Sequence, residues 1–337
     1  MENASHTLRK ESQLTRDDFD GGPVSLDCIE SKIYLGNVTA AVDVETLQLL
    51  GITHILTLDS CPLPRKITDM PNLKTKFIHL VDLPKEDIIS HLQETNAYIN
   101  EAIANGVILV HCYFGMSRSG AVVIAYIMKK YKLSYEATLE RVKEKRKIVH
   151  PNEGFVYQLK LYEEMGYAID KSNTKYREFR LSMAADRVRK TKILPQCYMD
   201  LIKGDPGIMQ VKPDPKVYRC KKCRRIVASE SNVISHTERN KLYWNGKNRP
   251  DNKEETSDTE KDVCVQTYFV EPIAWMKNVT QTVQGKLHCP KCSSKLGSFS
   301  WIMGCQCPCG TKVSPAFYLI PSKVEWSNAV QNVQMTV

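Results

Sequence analysis

The chain has 337 residues, 42% of them hydrophobic and 25% charged, and a net charge of +9. No apolar run reaches the ~18 residues that a membrane-spanning helix needs, and no signal peptide opens the chain, so neither a membrane protein nor a secreted disulfide scaffold is expected. The length suits two domains of about 140 and 110 residues.

In chain order, residues 1–25 are polar and expected to be disordered. The apolar run FIHLV (77–81) leads into Asp82, as a strand end leads into a loop. GVILV (106–110), short, apolar and bounded by glycine, reads as a buried strand. After Ser119, apolar residues at Val122, Val123, Ala125, Tyr126 and Met128 follow a helical pattern. KYREFRLSMAADRVRKTK (175–192) is rich in helix formers and reads as a basic helix that Pro195 ends. KGDPGIMQVKPDPK (203–216) has the Pro and Gly punctuation of a linker.

The most specific stretch is VHCYFGMSRSGAVV, Val110 to Val123. It sets Cys112 six residues before Arg118, with Gly115 between them and Ser119 just after. In this composition roughly half a Cys-x5-Arg match arises by chance, so the specificity lies in the surroundings. Strand, tight loop and helix aim a helix N-terminus, with its free N–H groups, at a bound phosphate. The backbone of Tyr113, Phe114, Gly115, Met116 and Ser117 would ring the anion. A cysteine nucleophile acts as a thiolate, which a helix N-terminus and a nearby cation both favour. Arg118 offers the planar fork that grips two phosphate oxygens. Gly115 lets the backbone turn with no side chain blocking the anion, and the Ser119 hydroxyl is placed to donate to the cysteine sulfur. In the bland reading, Cys112 is a buried strand-end thiol and Arg118 a surface residue.

HCYFGMSRS resembles the signature loop of the cysteine-dependent phosphatases, and specifically of the dual-specificity subgroup. Ile33 to Leu58 (IYLGNVTAAVDVETLQLLGITHILTL) is similar to the first strand–helix–strand of that domain, and Leu133 to Met165 to its closing helices. The resemblance implies an α/β domain over 26–168, a central sheet flanked by helices with the active loop at a strand's C-terminal end. It also implies removal of phosphate from phosphotyrosine and phosphoserine/threonine through a phosphocysteine. The acid that protonates the leaving oxygen lies about thirty residues upstream in the family. Asp82 holds that position, and Asp87 is the rival, as a helix-start residue or a solvated charge. Asn152 in HPNEGF matches a residue that braces the phosphate loop, or else is a turn residue after Pro151. Tyr113, Phe114 and Met116 carry no charge, whereas loops serving inositol phospholipids typically place lysines there, so a phosphoprotein substrate is favoured.

Nine of the twelve cysteines follow residue 196. A reducing compartment makes clustered cysteines read as zinc ligands rather than disulfides, whereas Cys28, Cys61 and Cys197 read as structural. Two closed structural sites fit the count. In one, Cys289 and Cys292 pair with Cys307 and Cys309, leaving Cys305 as a spare that could replace Cys307. In the other, Cys220 and Cys223 are completed by His236 and Cys264, with a disordered insertion following His236 through Asp262. YRCKKCRR, YFVEPIAWM, LHCPKCSSKLGSFSW and CPCGTKVSPAF together resemble the C-terminal zinc-binding domain of one type of dual-specificity phosphatase, known from yeast to human. That resemblance implies a small β-rich domain over 216–322 and a link to maturation of the large ribosomal subunit. Residues 169–215 are then a basic helical segment and linker, and 323–337 a tail. The apolar core of this domain is expected to be thin, with zinc supplying much of its folding free energy.

Residues 1–170 carry 19 Lys/Arg against 23 Asp/Glu, and residues 171–337 carry 28 against 15. The basic half implies an anionic partner. Together with the resemblance, it implies a pre-ribosomal large subunit or other ribonucleoprotein, and a cytoplasmic and nuclear location.

Overall fold

In this computed structural model, which describes residues 22–208, 214–236 and 264–328, the chain divides into two units, Met1–Asp170 and Lys171–Val337. The first begins with an antiparallel pair, β1 (Leu26–Glu30) and β2 (Ile33–Gly36), turning through Lys32 at φ 72°. Two short helices follow, α1 (Val38–Val42) and α2 (Val44–Leu49), begun by Asn37 and Asp43, whose side chains accept from the backbone N–H of Ala40 and Thr46. Then come β3 (His54–Asp59), α3 (Arg65–Thr68), β4 (Lys74–His79), α4 (Leu92–Asn105), β5 (Ile108–His111), α5 (Arg118–Tyr131), α6 (Tyr135–Lys145) and α7 (Glu153–Glu164).

The five strands form one sheet in the order β1-β2-β5-β3-β4, parallel except for the first pair. Every residue of β3 and β5 is buried, as in strands covered on both faces, His54, Thr57, Asp59 and His111 included. α5 is buried from Arg118 through Met128, as a helix apolar all round must be. The register sets Gly36 and Thr57 beside His111. Cys112 therefore leaves the central strand where the C-terminal ends of β2, β5 and β3 lie side by side, the edge at which open α/β sheets place their sites.

Part of the expected disorder over 1–25 is corrected here; residues 1–21 lie outside the described residues. Gly22, Pro23 and Ser25 are tied to α1, because Thr39 Oγ1 donates to Gly22 O (2.9 Å), Asn37 Nδ2 to Pro23 O (2.9 Å) and Asn37 N to Ser25 O (2.9 Å). Cys28, expected to be structural as a small apolar residue, is exposed; it lies on a strand at the sheet edge.

The second unit opens with α8 (Thr174–Thr191), capped by Asn173, whose Oδ1 accepts from Tyr176 N. The helix ends at Lys192 in the left-handed conformation (φ 66°); Pro195 does not end it but starts a 3₁₀ turn, Gln196–Leu201. Nine strands follow: β6 (Lys216–Cys220), β7 (Ile226–Ser229), β8 (Tyr268–Phe269), β9 (Gln284–His288), β10 (Lys295–Ser300), β11 (Cys305–Gln306), β12 (Lys312–Val313), β13 (Ala316–Leu319) and β14 (Val324–Asn328). They make a four-stranded sheet β8-β13-β10-β9, a three-stranded sheet β14-β6-β7, and the pair β11-β12.

Two expected boundaries move. The segment forming α8 is not a connection, since Leu181, Met183, Ala184, Ala185 and Val188 are buried in the same core as Phe269, Phe299, Trp301 and Phe317. Arg177 locks the helix in place, donating twice to Glu271 (3.0 and 2.5 Å) and once to Ser231 O (2.8 Å). Nor does a tail begin at 323, because β14 pairs with β6 from Val324↔Cys220 to Asn328↔Lys216. The core is not thin either. It holds 30 buried residues, because α8 adds an apolar face that a domain beginning at 216 would lack. The stretches 209–213, 237–263 and 329–337 lie outside the described residues, and with them the expected insertion through Asp262 and part of the expected linker.

Candidate active site and metal centres

Cys112 follows β5 directly and is 1% exposed. Its sulfur accepts a hydrogen bond from Ser119 Oγ at 3.1 Å. Ser119 lies in the first turn of α5, whose leading N–H groups have no partners within the helix and carry its positive dipole end. The loop between turns through Gly115 at φ 71°, where an added Cβ would lie 2.4 Å from Gly36 O. A side chain is therefore excluded at Gly115 by conformation and by space. Tyr113 O accepts from Val38 N (3.1 Å) and Met116 O from His150 N (3.2 Å). These bonds tie the loop backbone to the start of α1 and to the segment before α7.

Arg118 is buried, held by Asp59 Oδ1 (2.9 Å) and Leu80 O (3.3 Å). Its Nε has no hydrogen-bond partner and lies 3.7 Å from Asp82 Oδ2. Asp82 Oδ1 accepts from Ser117 Oγ (2.7 Å) and from Asn152 Nδ2 (2.8 Å). Asp82, rather than Asp87, faces the phosphate loop. Asp87 instead accepts from Ser90 N (3.1 Å) and Ser90 Oγ (2.8 Å) at the turn before α4. Asn152 does both things its sequence position allowed. Its Oδ1 caps α7 by accepting from Phe155 N (3.0 Å), while its backbone N–H donates to Ser117 Oγ (3.1 Å). Phe114 is 57% exposed at the rim, its ring edge-on to that of Tyr113 at 4.8 Å.

Three residues escaped sequence reasoning. Arg146, 2% exposed, donates from Nε to Gly115 O (2.9 Å), from Nη2 to Phe114 O (3.2 Å), and from Nη1 to Asp27 (2.7 Å) and Ser25 (3.1 Å). Nothing in KEKRK separates it from the lysines around it. Asp59, which fixes Arg118, had a faint signal as a charge ending an otherwise apolar parallel strand. Gly154 gave none; an added Cβ there would stand 1.8 Å from Pro84 O.

Two groups of four donor atoms form in the second unit, each group within 4.8 Å: Cys220, Cys223, Cys289 and Cys292 in one, and His236, Cys264, Cys307 and Cys309 in the other. The eight residues are those expected, but the pairing is crossed. β10, whose six residues span ~20 Å, lies in the chain between Cys292 and Cys305–Cys309. Two like turns meet instead. Arg224 N bonds to Cys220 O (2.8 Å) and Ser293 N to Cys289 O (2.9 Å), with φ 63° at Arg224 and 57° at Ser293. Cys220 Sγ then lies 3.7 Å from Cys292 Sγ, and Cys223 Sγ 3.5 Å from Cys289 Sγ. In the second group Cys264 N donates to His236 O (2.9 Å), and Cys264 Sγ lies 3.7 Å from Cys307 Sγ. Cys305 joins neither group; it pairs with Val313 across β11-β12.

The donor chemistry fits a metal ion. His236 Nε2 is buried without a hydrogen-bond partner, an orphan that coordination would satisfy. Burial pushes the Cys289 thiol up to about 12 and that of Cys264 up to about 11, while the Ser294 hydroxyl beside Cys292 brings that thiol down to about 6. Thiols buried together resist ionising, and a soft divalent cation reverses this by binding thiolates.

The family model "Dual specificity phosphatase, catalytic domain" matches residues 33–165. Dual specificity protein phosphatase MPK-4 of Drosophila melanogaster is 46% identical, over 96% of this chain and 93% of its own length. The chain belongs to the dual specificity protein phosphatases. Tyrosine-protein phosphatase YVH1 of Saccharomyces cerevisiae is 30% identical over 87% of this chain and 89% of its own length. A solved Yvh1 phosphatase domain from Chaetomium thermophilum is 31% identical, covering 44% of this chain and 100% of that one, at a TM-score of 0.40. The fly and yeast matches thus extend well past the catalytic domain into the second unit. Among the described residues no helix is long and apolar enough to cross a membrane.

Proposed function

We propose that this dual specificity phosphatase hydrolyses phosphoproteins, at phosphotyrosine and phosphoserine/threonine, through a phosphocysteine. Cys112 Sγ attacks phosphorus, the S–P bond forms as the O–P bond breaks, and Asp82 gives its proton to the leaving oxygen. Water then attacks the phosphocysteine, Asp82 takes a proton from it, and Ser119 Oγ donates to the departing sulfur. The observation that carries this reading is the meeting of the Ser119-bonded Cys112 sulfur, the orphaned Arg118 Nε and the Asp82 carboxylate around one loop. A phosphate oxygen there would fill the open valence of Arg118 Nε. Rapid quenching of an Asp82→Asn variant with labelled dinitrophenyl phosphate, whose leaving group scarcely needs the acid, should trap label on the protein because Asp82 is missing as the base of the second step, and Cys112→Ser should trap none. Label retained by Cys112→Ser overturns the assignment.

The second unit, in this proposal, holds two structural zinc ions and binds an anionic partner. Four thiolates, or three with an imidazole, make the closed tetrahedral set that zinc takes. The favoured partner is a pre-ribosomal large subunit or a related ribonucleoprotein, met in cytoplasm and nucleus. The net +13 of residues 171–337 and the resemblance of their motifs support it. In a second reading the same features make the protein chiefly an assembly factor of large ribosomal subunits. Sucrose-gradient sedimentation of the full chain, Cys112→Ser, and residues 171–337, each scored for rescue of cells lacking the protein, separates the two. Rescue by the fragment favours assembly, and rescue only by the chain with Cys112 intact favours phosphate removal.

A further inference from the structure

The acid loop is fastened at three points to one helix end. Asn152 Nδ2 holds Asp82 itself; Gly154 leaves room for Pro84, whose carbonyl would otherwise meet a Cβ at 1.8 Å; and Gln158 secures the far side. The Gln158 amide is fully used, since Oε1 accepts from Ile88 N (2.9 Å) and Ile89 N (3.0 Å) and Nε2 donates to Glu86 O (2.8 Å) and Gly154 O (3.1 Å). The start of α7 is thus a seat for the loop that carries Asp82.

The hydrogen bonds at Asp82 also have a direction. Asn152 N–H donates into the oxygen of Ser117, which turns the Ser117 hydroxyl hydrogen toward Asp82 Oδ1. Asn152 Nδ2 donates to that same oxygen. With both lone pairs of Oδ1 engaged, a proton on this carboxyl sits on Oδ2. Oδ2 is the oxygen turned toward Arg118, at 3.7 Å from Nε, and hence toward the phosphoryl group.

We infer that Asn152 and Ser117 are positioning residues that select Oδ2 as the proton-bearing oxygen of Asp82 and aim it at the leaving group. This rests on the reading of Asp82 as the acid. The consequence is specific: weakening the pair harms substrates in proportion to their need for an acid. Phenyl phosphate leaves as a strongly basic oxygen and needs the proton, whereas dinitrophenyl phosphate scarcely does.

The test compares kcat on these two substrates for the full chain and for Asp82→Asn, Asn152→Ser and Ser117→Ala. Serine at 152 keeps a helix cap and removes the amide donor. General acid catalysis contributes about 10²-fold or more, so Asp82→Asn should lose about that much on phenyl phosphate and far less on dinitrophenyl phosphate. Asn152→Ser and Ser117→Ala should each lose about tenfold on phenyl phosphate, a fraction of that contribution, with a clearly smaller loss on dinitrophenyl phosphate. Equal losses on both substrates in these two variants, or no loss, overturn the inference while a selective Asp82→Asn leaves the acid reading standing. If Asp82→Asn is itself unselective, the acid reading falls and the inference with it. Should Asn152→Ser fail to fold, Ser117→Ala decides by the same ratio.

Discussion

The two units build their sites by opposite means. In the first, the proposed nucleophile, phosphate cradle and cation come from one strand–loop–helix, so that Cys112, Ser119 and Arg118 meet because they are neighbours in the chain. In the second, each donor group joins segments far apart in sequence, two in one group and three in the other. A site written in one stretch survives as a motif whatever the rest of the fold does. A site assembled from separate segments is legible as residue types and illegible as pairs.

The largest effect that probes this contrast is loss of the nucleophile. Cys112→Ser should reduce turnover by about 10⁴-fold or more while leaving the metal content and melting of the second unit unchanged. A fall in metal content in that variant would show that the two sites are not built independently.

The crossed pairing is tested next, by metal content after refolding in zinc. Cys220→Ser with Cys289→Ser strips ligands from one group and should leave one ion per chain; Cys289→Ser with Cys307→Ser touches both groups and should leave neither site closed. Under the sequence-adjacent pairing the two results would be exchanged. Chelation should lower the melting temperature of the second unit. Its core of 30 buried residues, however, makes it less metal-dependent than a thin-cored zinc module.

Arg146→Met asks how far the contiguous motif relies on the surrounding fold. Its guanidinium bridges two loop carbonyls and Asp27, so its loss should cost about 2 kcal/mol of stability, discounted because Asp27 is 43% exposed. An accompanying rise in KM of about tenfold, with kcat less changed, would mark a loosened phosphate cradle. The smallest effect is Gly154→Ala. Helix propensity alone favours alanine there by ~1 kcal/mol. A drop in melting temperature with a several-fold loss of kcat would therefore report the displaced Pro84 loop.

Much of the first unit was readable because periodicity and motif agreed. β5, the helix after the loop, and Asp82 at a strand end all lie where the apolar pattern set them. Arg146 was not readable, because burial alone distinguishes it from the flanking lysines. Gly154 is silent for the same reason, since only the approach of a distant carbonyl gives it meaning. Asn152 carried two competing readings because its amide has two ends, and the fold uses both. In the second unit the ligand types were plain, but their pairing depends on which turns the fold brings together, which spacing along the chain does not show. The basic helix α8 looked like a connector because its charges outnumber its apolar residues. Its buried face is spread over Leu181, Met183, Ala184, Ala185 and Val188, too small in volume to stand out.

The junction of His236 and Cys264 has a practical side. Both belong to the same donor group, and a backbone hydrogen bond of 2.9 Å joins them, so an insertion between them begins and ends at one point of the fold. Closing a loop of doubled length costs only about 0.6 kcal/mol more. This is accordingly the place to graft an epitope, a fluorophore-bearing domain or a cleavable handle, with the folded unit on either side left to register nothing but a longer tether.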